Sequence, residues 1–397
     1  MAGIDRGHRI KRVVDHLRTI ASEIGPRPVG SEANRLAVAY ARGVLDGTGM
    51  EVEEQPFEAL AWKDLGSTLT LNSGSKRVMA NPFSPPCQVQ AEAVLVRTVE
   101  ELERADVRGK VVVMAGDLSS EQLFPKNYPF FSVPEHQRVV SLLEERAPSA
   151  IVCVSSRVES IEPIIEDGDF HIPSVTVPKT LQIENGQPLL LTVSTHSELS
   201  WGSNVVASSH SRKGRRIVVC AHIDTKPDTP GALDNASGVA TLLLLAELLA
   251  ESYGGAGVEI ALLNGEDYYS SPGQVRYVQE LGDSIGEIDL AINVDGVGYA
   301  GSLNTVAFFE MSDGLRASVN AVVEKSQGIV SVDPWPQGDH MIFAAAGIAS
   351  LALTSASSFD LLESLVHTEK DTTEILDPES VVQVSEFIES ILKRGTS

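Results

Sequence analysis

The chain has little cysteine and little positive charge for its length. Its three cysteines, Cys87, Cys153 and Cys220, are odd in number and far apart among 397 residues, which argues against a disulfide framework and against a C-x-x-C metal clip. Lysine and arginine number 31 against 54 aspartates and glutamates, and the formal net charge is −23. Such a protein repels nucleic-acid backbones and anionic membranes, so we expect neither as a partner.

Long apolar runs and two common sequence signals are also missing. The N-terminal stretch MAGIDRGHRIKRVVDHL has no apolar core of the signal-peptide kind, and no apolar run approaches the roughly 18 residues that span a bilayer. We therefore expect a cytoplasmic protein. The absence of a G-x-S-x-G elbow leaves a serine hydrolase without support.

What the chain does have is length and apolar content for more than one core. With 397 residues, 43% of them hydrophobic, it exceeds what a single core usually organises, so we expect two domains or one domain with a large insertion. Apolar residues at helical spacing predict helices over 8–24 and 31–45, and an alternating strand follows Gly49.

The middle of the chain, residues 62–200, predicts a separate β-rich domain. One helix is expected near 135–147, and the histidines His136, His171 and His196 are isolated, so we expect them to be structural or exposed. Strands are predicted at 93–96, 111–114, 150–154, 174–177 and 189–193.

Residues 204–397 alternate between strand and helix, which predicts a mostly parallel sheet with helices on both faces. The predicted strands are 205–207, 217–220, 258–263, 290–294, 306–309 and 351–353. The predicted helices are 236–250, 272–281, 315–327 and 378–393.

The segment VVCAHIDTKPDTPGALDNASGVATLLLLAELLA, residues 218–250, has the pattern of half a metal site. His222 and Asp224 end a buried strand and point to one face, and Asp234 and Asn235 come just before a helix. These residues could converge at the carboxyl edge of a parallel sheet, where open α/β folds bind ligands. Taken alone, Asp234 or Asn235 could equally be a simple helix N-cap, so further ligands are needed.

Acids also follow two other predicted core strands. Glu266 and Asp267 come after the strand 258–263, Asp295 comes after 290–294, and His367 lies in a polar loop nearer the C-terminus. Carboxylates buried repeatedly at one edge are costly unless a cation binds them. Two histidines and several carboxylates suit zinc.

In order along the chain, the motifs H-x-D, G-A-x-D-N-x-S-G-V, E-D, N-x-D-G-x-G, D-H and H-T-x-x-D-T resemble the di-zinc exopeptidases of the aminopeptidase Y and bacterial leucyl aminopeptidase type. The resemblance covers residues 204–380 and the N-terminal turn IGPRPVGS. It implies a three-layer α/β/α fold with a mostly parallel mixed central sheet, built from residues 1–61 and 201–397. Residues 62–200, with the segment RGKVVVMAGD, are similar to the protease-associated domain inserted in many of these enzymes.

The resemblance also implies a role for each site residue. The metal ligands would be His222 and Asp295 at one zinc, Asp267 and His367 at the other, and Asp234 as the bridge between them. Glu266 would be the general base. Asp224 would accept the second ring N–H of His222 and fix its tautomer.

Two positions differ from the family pattern. Asp267 stands where a second glutamate is common, and Val366 stands where many aminopeptidases have a tyrosine whose hydroxyl supports the oxyanion. Another residue would have to stabilise that charge. The first candidate is His340, in the segment D-H-M-I-F, which we predict as a catalytic residue beside Glu266; the pair Tyr268 and Tyr269 is the alternative.

The function implied by the resemblance is that of a zinc-dependent exopeptidase with two zinc ions per chain, most simply an aminopeptidase acting on short peptides. A carboxypeptidase or amidohydrolase of the same fold is the alternative, as is a binding module that keeps the fold without catalysis. Glutaminyl cyclase chemistry is disfavoured because that group works with one zinc. The sequence leaves the oligomeric state open, and a homo-oligomer is compatible with it.

Overall fold

A computed structural model describes residues 5–156, 161–209, 214–252, 257–361 and 364–394. The chain forms two compact units. The first comprises Met1–Ala59 and Trp201–Ser397, and the second comprises Leu60–Ser200. The described cysteines are all free thiols.

The strands, in chain order, are β1 (Glu51–Asp64), β2 (Thr68–Leu71), β3 (Gly74–Arg77), β4 (Met79–Ala80), β5 (Cys87–Val96), β6 (Val111–Met114), β7 (Ala150–Val154), β8 (Ser174–Val177), β9 (Pro188–Val193), β10 (Thr195–Ser208), β11 (Arg216–His222), β12 (Gly257–Leu263), β13 (Ile288–Val294), β14 (Asn304–Phe309), β15 (Ile329–Ser331) and β16 (Ser350–Ser355). The α-helices are α1 (Arg6–Leu17), α2 (Glu32–Asp46), α3 (Val99–Arg104), α4 (Pro134–Arg146), α5 (Ser237–Ser252), α6 (Pro272–Leu281), α7 (Asp313–Val323), α8 (His340–Ala344), α9 (Ser358–Leu361) and α10 (Pro378–Arg394). Two π-type segments, Arg18–Ile24 and Ala232–Ala236, continue α1 and precede α5.

The first unit is organised by a sheet with the strand order β1-β10-β12-β11-β13-β16-β14-β15. Its centre is parallel, because β12, β11, β13 and β16 all run in the same direction. Strands β10 and β14 are antiparallel to their central neighbours, which makes the sheet mixed. Every residue of β11 is buried, as expected for a central strand covered on both faces.

Helices cover both faces of this sheet. On one face α5 lies among α1, α2 and α10, and its leucines join the largest apolar core of the unit. On the other face α6 and α8 supply Tyr277 and Phe343 to a second core. The predicted three-layer α/β/α fold with a mostly parallel mixed sheet is therefore confirmed.

One stretch of the described residues is longer and more apolar than expected. Ala232–Ala250 is a helical segment that could cross a membrane by length and composition, but 89% of its most apolar window is buried inside the protein. A helix apolar on all sides is what the centre of a packed layer requires, so its position in the core accounts for its composition.

The N-terminal elements end and begin as the sequence predicts. The first helix continues through its π-type turn to Gly25, whose φ of 75° favours glycine. Helix α2 begins after Ser31, whose hydroxyl accepts a hydrogen bond from the backbone N–H of Asn34 at 3.0 Å. The sequence missed the short elements β15, α8 and α9.

The second unit has its own sheet, with the strand order β3-β2-β9-β5-β6-β7-β8-β4. Strands β5 to β8 are parallel, and separate apolar cores lie on its two faces. The five strands and the helix α4 predicted here are confirmed, whereas β2, β3, β4 and α3 were missed. The similarity of this unit to a protease-associated domain stays a prediction.

We expect His16 to make the first unit less stable in acid. Its Nδ1 atom lies 2.7 Å from the hydroxyl of Tyr40, and burial lowers the pKa of His16 from 6.5 to about 4, with the charge of Arg12 adding to the shift. Because the unfolded chain binds this proton more readily, stability is lost as the pH falls from about 6.5 to about 4, by an amount on the order of 3 kcal/mol.

Urea unfolding midpoints measured between pH 4 and pH 7.5 check this expectation. His16→Gln keeps a hydrogen-bonding side chain but does not titrate, so its midpoint should fall less steeply in acid. Parallel curves for the two proteins would contradict the assignment.

Candidate metal centre

The register of the central strands brings their polar ends together. His222 at the end of β11 pairs with Leu263 at the end of β12, which places the loop of Glu266 and Asp267 beside it. On the other side Cys220 pairs with Asn293 of β13, so Asp295, two residues further on, lies level with His222. Parallel strands present their carboxyl ends at one edge, and this edge carries the site.

Asp234 and Asn235 have separate tasks at the start of α5. Asn235 acts as the helix cap, because its Oδ1 accepts from the N–H of Gly238 at 2.9 Å, and its Nδ2 donates to the carbonyl of Val294 at 2.9 Å. A side chain at Gly238 would collide with Asn235 and Val294. Asp234 does not cap the helix. The simple cap interpretation thus holds for Asn235, and it leaves Asp234 available for another role.

The carboxylate of Asp234 lies between the two histidines. Its Oδ1 is 3.0 Å from Nε2 of His222, and its Oδ2 is 3.1 Å from Nε2 of His367. The Nε2 atom of His222 is also 3.5 Å from Oδ1 of Asp295, and that of His367 is 3.1 Å from Oδ1 of Asp267. The structure therefore brings together all five residues predicted as metal ligands, in two groups that share Asp234.

The arrangement of the nitrogen and oxygen donor atoms suits metal coordination better than hydrogen bonding between the side chains. Nε2 of His222 and Oδ2 of Asp267 are buried and have no hydrogen-bond partner among the described residues, although carboxylates and imidazoles surround them. Ligands held at about 2.0 to 2.1 Å around a tetrahedral zinc lie about 3.3 Å apart, close to the separations of 3.0 to 3.5 Å found here. His222, Asp234 and Asp267 also form a candidate metal-binding group, with ligand atoms all within 4.8 Å of one another.

The electrostatics of the cluster show a shortage of positive charge. Burial opposes the charged form of His222, but the carboxylates of Asp295, Asp224 and Asp234 outweigh it and raise the pKa of the imidazole well above its ordinary value. Burial likewise opposes ionisation of Asp234, yet His222 and His367 hold its pKa below the usual range.

The pKa values of carboxylates that have no histidine so close to them shift in the opposite direction. Burial raises the pKa of Glu266 well above its ordinary value; the charge of His222 opposes this, and the carboxylates of Asp267 and Asp295 add to it. Burial also raises the pKa of Asp339, to about 7. A bound cation is the simplest way to keep so many acids ionised at one edge.

Glu266 lies beside the cluster without belonging to the ligand group. It directly precedes Asp267, it is only partly exposed, and no ion pair or side-chain hydrogen bond joins it to another described residue. A carboxylate in this position can exchange a proton with a group held at the cluster.

Asp224 braces the neighbouring loop as well as the histidine. Its Oδ1 accepts from the N–H of Gly265 at 2.6 Å, and its Oδ2 accepts from the N–H of Asp267 at 3.1 Å. The Nδ1 atom of His222 lies 3.2 Å from the main-chain oxygen of Asp224 and 3.7 Å from its carboxylate. The ring is therefore oriented mainly through the backbone of Asp224, while the carboxylate positions Asp267.

The candidates for an oxyanion donor are less clearly placed. Nε2 of His340 lies 3.0 Å from the carbonyl oxygen of Trp335, so that nitrogen is already engaged, and the ring packs on Phe309. The rings of Tyr268 and Tyr269 lie side by side in the loop that follows Asp267, with centroids 4.8 Å apart. The Nδ1 atom of His340 is buried and has no hydrogen-bond partner among the described residues, and a catalytic role for this histidine stays a prediction.

Two buried charges that the sequence left without a role also meet this site. Asp371, in the motif H-T-x-x-D-T, accepts hydrogen bonds from the N–H groups of Leu233 and Asp234. Arg27, in the turn IGPRPVGS, donates to carbonyl groups of the loop that leads to Asp234. Both residues lie in motifs that carry the family resemblance, and this was the signal in the sequence by which they could have been found.

Taken together, the fold is that of solved zinc aminopeptidases, and one edge of its sheet carries a cluster of candidate metal ligands. Residues 204–392 match the family model for Peptidase family M28. The match confirms, for this part of the chain, the family resemblance inferred from the motifs.

The individual relatives share only about a fifth to a quarter of their residues with this chain. The probable lipoprotein aminopeptidase LpqL of Mycobacterium tuberculosis is 24% identical over 288 residues, which are 68% of this chain and 55% of that protein. Aminopeptidase YwaD of Bacillus subtilis is 21% identical over 403 residues, covering 96% of this chain and 83% of that protein. The solved structure of BSAP, a zinc aminopeptidase from Bacillus subtilis, superposes with a TM-score of 0.74 at 19% identity, covering 97% of this chain and 96% of that one. The chain thus spans little more than half of the first relative.

We expect Asp234→Ala to lose more metal than either single histidine variant. Because Asp234 is the one carboxylate among the described residues that pairs with both histidines, its removal should weaken both halves of the cluster, whereas His222→Ala and His367→Ala should each weaken one. Zinc content after dialysis against a fixed free zinc concentration, measured by mass spectrometry, checks the order. An Asp234→Ala protein that retains as much zinc as the parent would remove the bridging assignment.

Proposed function

We propose that the protein is a zinc-dependent exopeptidase, specifically an aminopeptidase that releases N-terminal residues from short peptides. The observation that carries the proposal is the placement of Asp234, with one carboxylate oxygen toward each histidine and Glu266 beside the group. The aminopeptidase names of the relatives support the choice of reaction.

The chain's own residues would divide the work as follows. Asp234 would hold two zinc ions at once, His222 and Asp295 would complete one site, and Asp267 and His367 the other. When bound, such a pair would polarise the scissile carbonyl and lower the pKa of a water. Glu266 would take the proton of the attacking water and pass it to the leaving amine.

A second candidate, a carboxypeptidase or amidohydrolase of the same fold, is favoured by Lys226. Its ammonium donates to the main-chain oxygen of Asp267 at 2.8 Å and lies 4.0 Å from the Oδ1 atom of Asp267. A positive charge so near a proposed ligand could also hold a substrate carboxylate, whereas an aminopeptidase must hold a free amine.

Replacing Glu266 with glutamine should stop hydrolysis without releasing metal. The amide has nearly the same size but cannot accept a proton, so we expect kcat to fall by about 10²- to 10⁴-fold. Rates on an aminoacyl chromogenic substrate and zinc content of the same samples provide the two measurements. Loss of zinc together with activity would show that Glu266 is a ligand instead.

Blocking the substrate amine should separate the two candidate functions. An aminopeptidase loses the group that it recognises, so we expect kcat/KM for N-acetylated peptides to be lower by at least about 100-fold than for the free peptides. Cleavage of N-acetylated peptides with a free C-terminus, together with a raised KM in Lys226→Met, would favour the carboxypeptidase. In either case a chelator should stop the reaction and added zinc should restore it.

A further inference from the structure

The main chain of Asp234 is held by a buried carboxylate outside the ligand group. Asp371 is fully buried, and its two oxygens accept separate hydrogen bonds, from the N–H of Leu233 at 2.6 Å and from the N–H of Asp234 at 3.0 Å. Its own carbonyl accepts from the N–H of Ala232 at 3.2 Å. Three successive backbone N–H groups therefore end on a single residue.

The carbonyl groups of the same loop are held from the other side by Arg27. This arginine is fully buried, and its guanidinium donates to the carbonyls of Ile223 at 2.6 Å, Pro230 at 2.7 Å and Gly231 at 2.9 Å. Its backbone N–H donates to the hydroxyl of Thr225 at 2.9 Å. The carboxylate of Asp371 thus accepts from the N–H groups of the loop, and the guanidinium of Arg27 donates to its carbonyl groups. Together they fix the position and the tilt of the loop.

Asp371 also connects the two halves of the cluster. It follows His367 by four residues, and the turn between them is closed by a hydrogen bond from the N–H of Asp371 to the carbonyl of Thr368 at 3.2 Å. The segment that carries one histidine is therefore tied to the backbone of the residue that faces both. A displacement of Asp371 would alter the position of Asp234 relative to His222 and His367 together.

We propose that Asp371, with Arg27 opposite it, is a positioning residue for Asp234 that sets the zinc affinity of both metal positions. The inference rests on the metal site of the proposed function but not on the choice of substrate. Groups that support a metal ligand typically change metal affinity or activity by 10- to 100-fold when they are replaced. A buried acid that only stabilises the fold would change stability and leave zinc affinity unaltered.

The test is Asp371→Asn in the full chain, titrated with zinc in competition with a fluorescent chelator. The amide keeps the size of the side chain but can accept only one of the two N–H groups, so we expect zinc affinity to fall by about 10- to 100-fold for both equivalents. The thermal stabilisation gained on adding zinc should shrink accordingly, since that gain depends on affinity. Arg27→Lys, which keeps the charge but loses the fork, should weaken zinc binding in the same direction.

Glu259→Gln is the matched control. Glu259 is equally buried in the same unit, where it accepts from the hydroxyl of Tyr277 at 2.6 Å and pairs with Arg216 at 3.2 Å. We expect it to lower the melting temperature of the metal-free protein while leaving zinc affinity within about twofold of the parent.

Two results would count against the proposal in different ways. If both site variants lose stability like Glu259→Gln but bind zinc as tightly as the parent, the positioning role is wrong and the metal site stands. If the unmodified chain binds no zinc, the metal site itself is wrong. Should Asp371→Asn fail to fold, the zinc titration of Arg27→Lys decides the outcome.

Discussion

Repulsion between carboxylates is the constraint on which this structure depends. The parallel centre of the sheet ends three adjacent strands at one edge, and Asp295, Glu266 and Asp267 follow two of those ends. Gathering like charges in a buried place is unfavourable unless opposite charge is supplied. The two histidines supply part of it, and the raised pKa values of Glu266 and Asp295 indicate that the supply is incomplete. A site with such an excess of negative charge favours the binding of cations.

The loops around this edge alternate between side chains that face the cluster and side chains that hold the backbone. Asp234 faces the histidines while its neighbour Asn235 ties helix α5 to the end of β13. Asp224 similarly holds the N–H of Asp267. Because most of the proposed ligands stand on loops rather than on strands, their geometry depends on these backbone hydrogen bonds as much as on the sheet.

Much of the fold followed from periodicity in the sequence. The amphipathic spacing of the first helix and the apolar runs of the central strands identified most elements, since both patterns reflect burial of one or both faces. Short elements such as β15 and α8 were missed, because three to five residues carry too little periodic signal. The five proposed ligands came from ordered motifs, and the structure brings them together.

The residues that sequence reasoning missed share a physical cause. Asp371 and Arg27 act on backbone N–H and C=O groups, which every residue has, so nothing in the sequence identifies their partners. The family resemblance assigned Asp224 to the ring of His222, but its carboxylate bonds a loop over 40 residues away. Whether a side chain bonds another side chain or the main chain becomes visible only in three dimensions.

The position of Arg27 also shows which parts of the chain support the candidate metal centre. The family match starts at residue 204, yet the loop that carries Asp234 receives its guanidinium from the turn after the first helix. A fragment cut at the limits of the match would lose the guanidinium that donates to the carbonyl groups of Ile223, Pro230 and Gly231. The first unit is therefore discontinuous along the chain, and the support of its candidate metal centre includes an N-terminal segment that the family match omits.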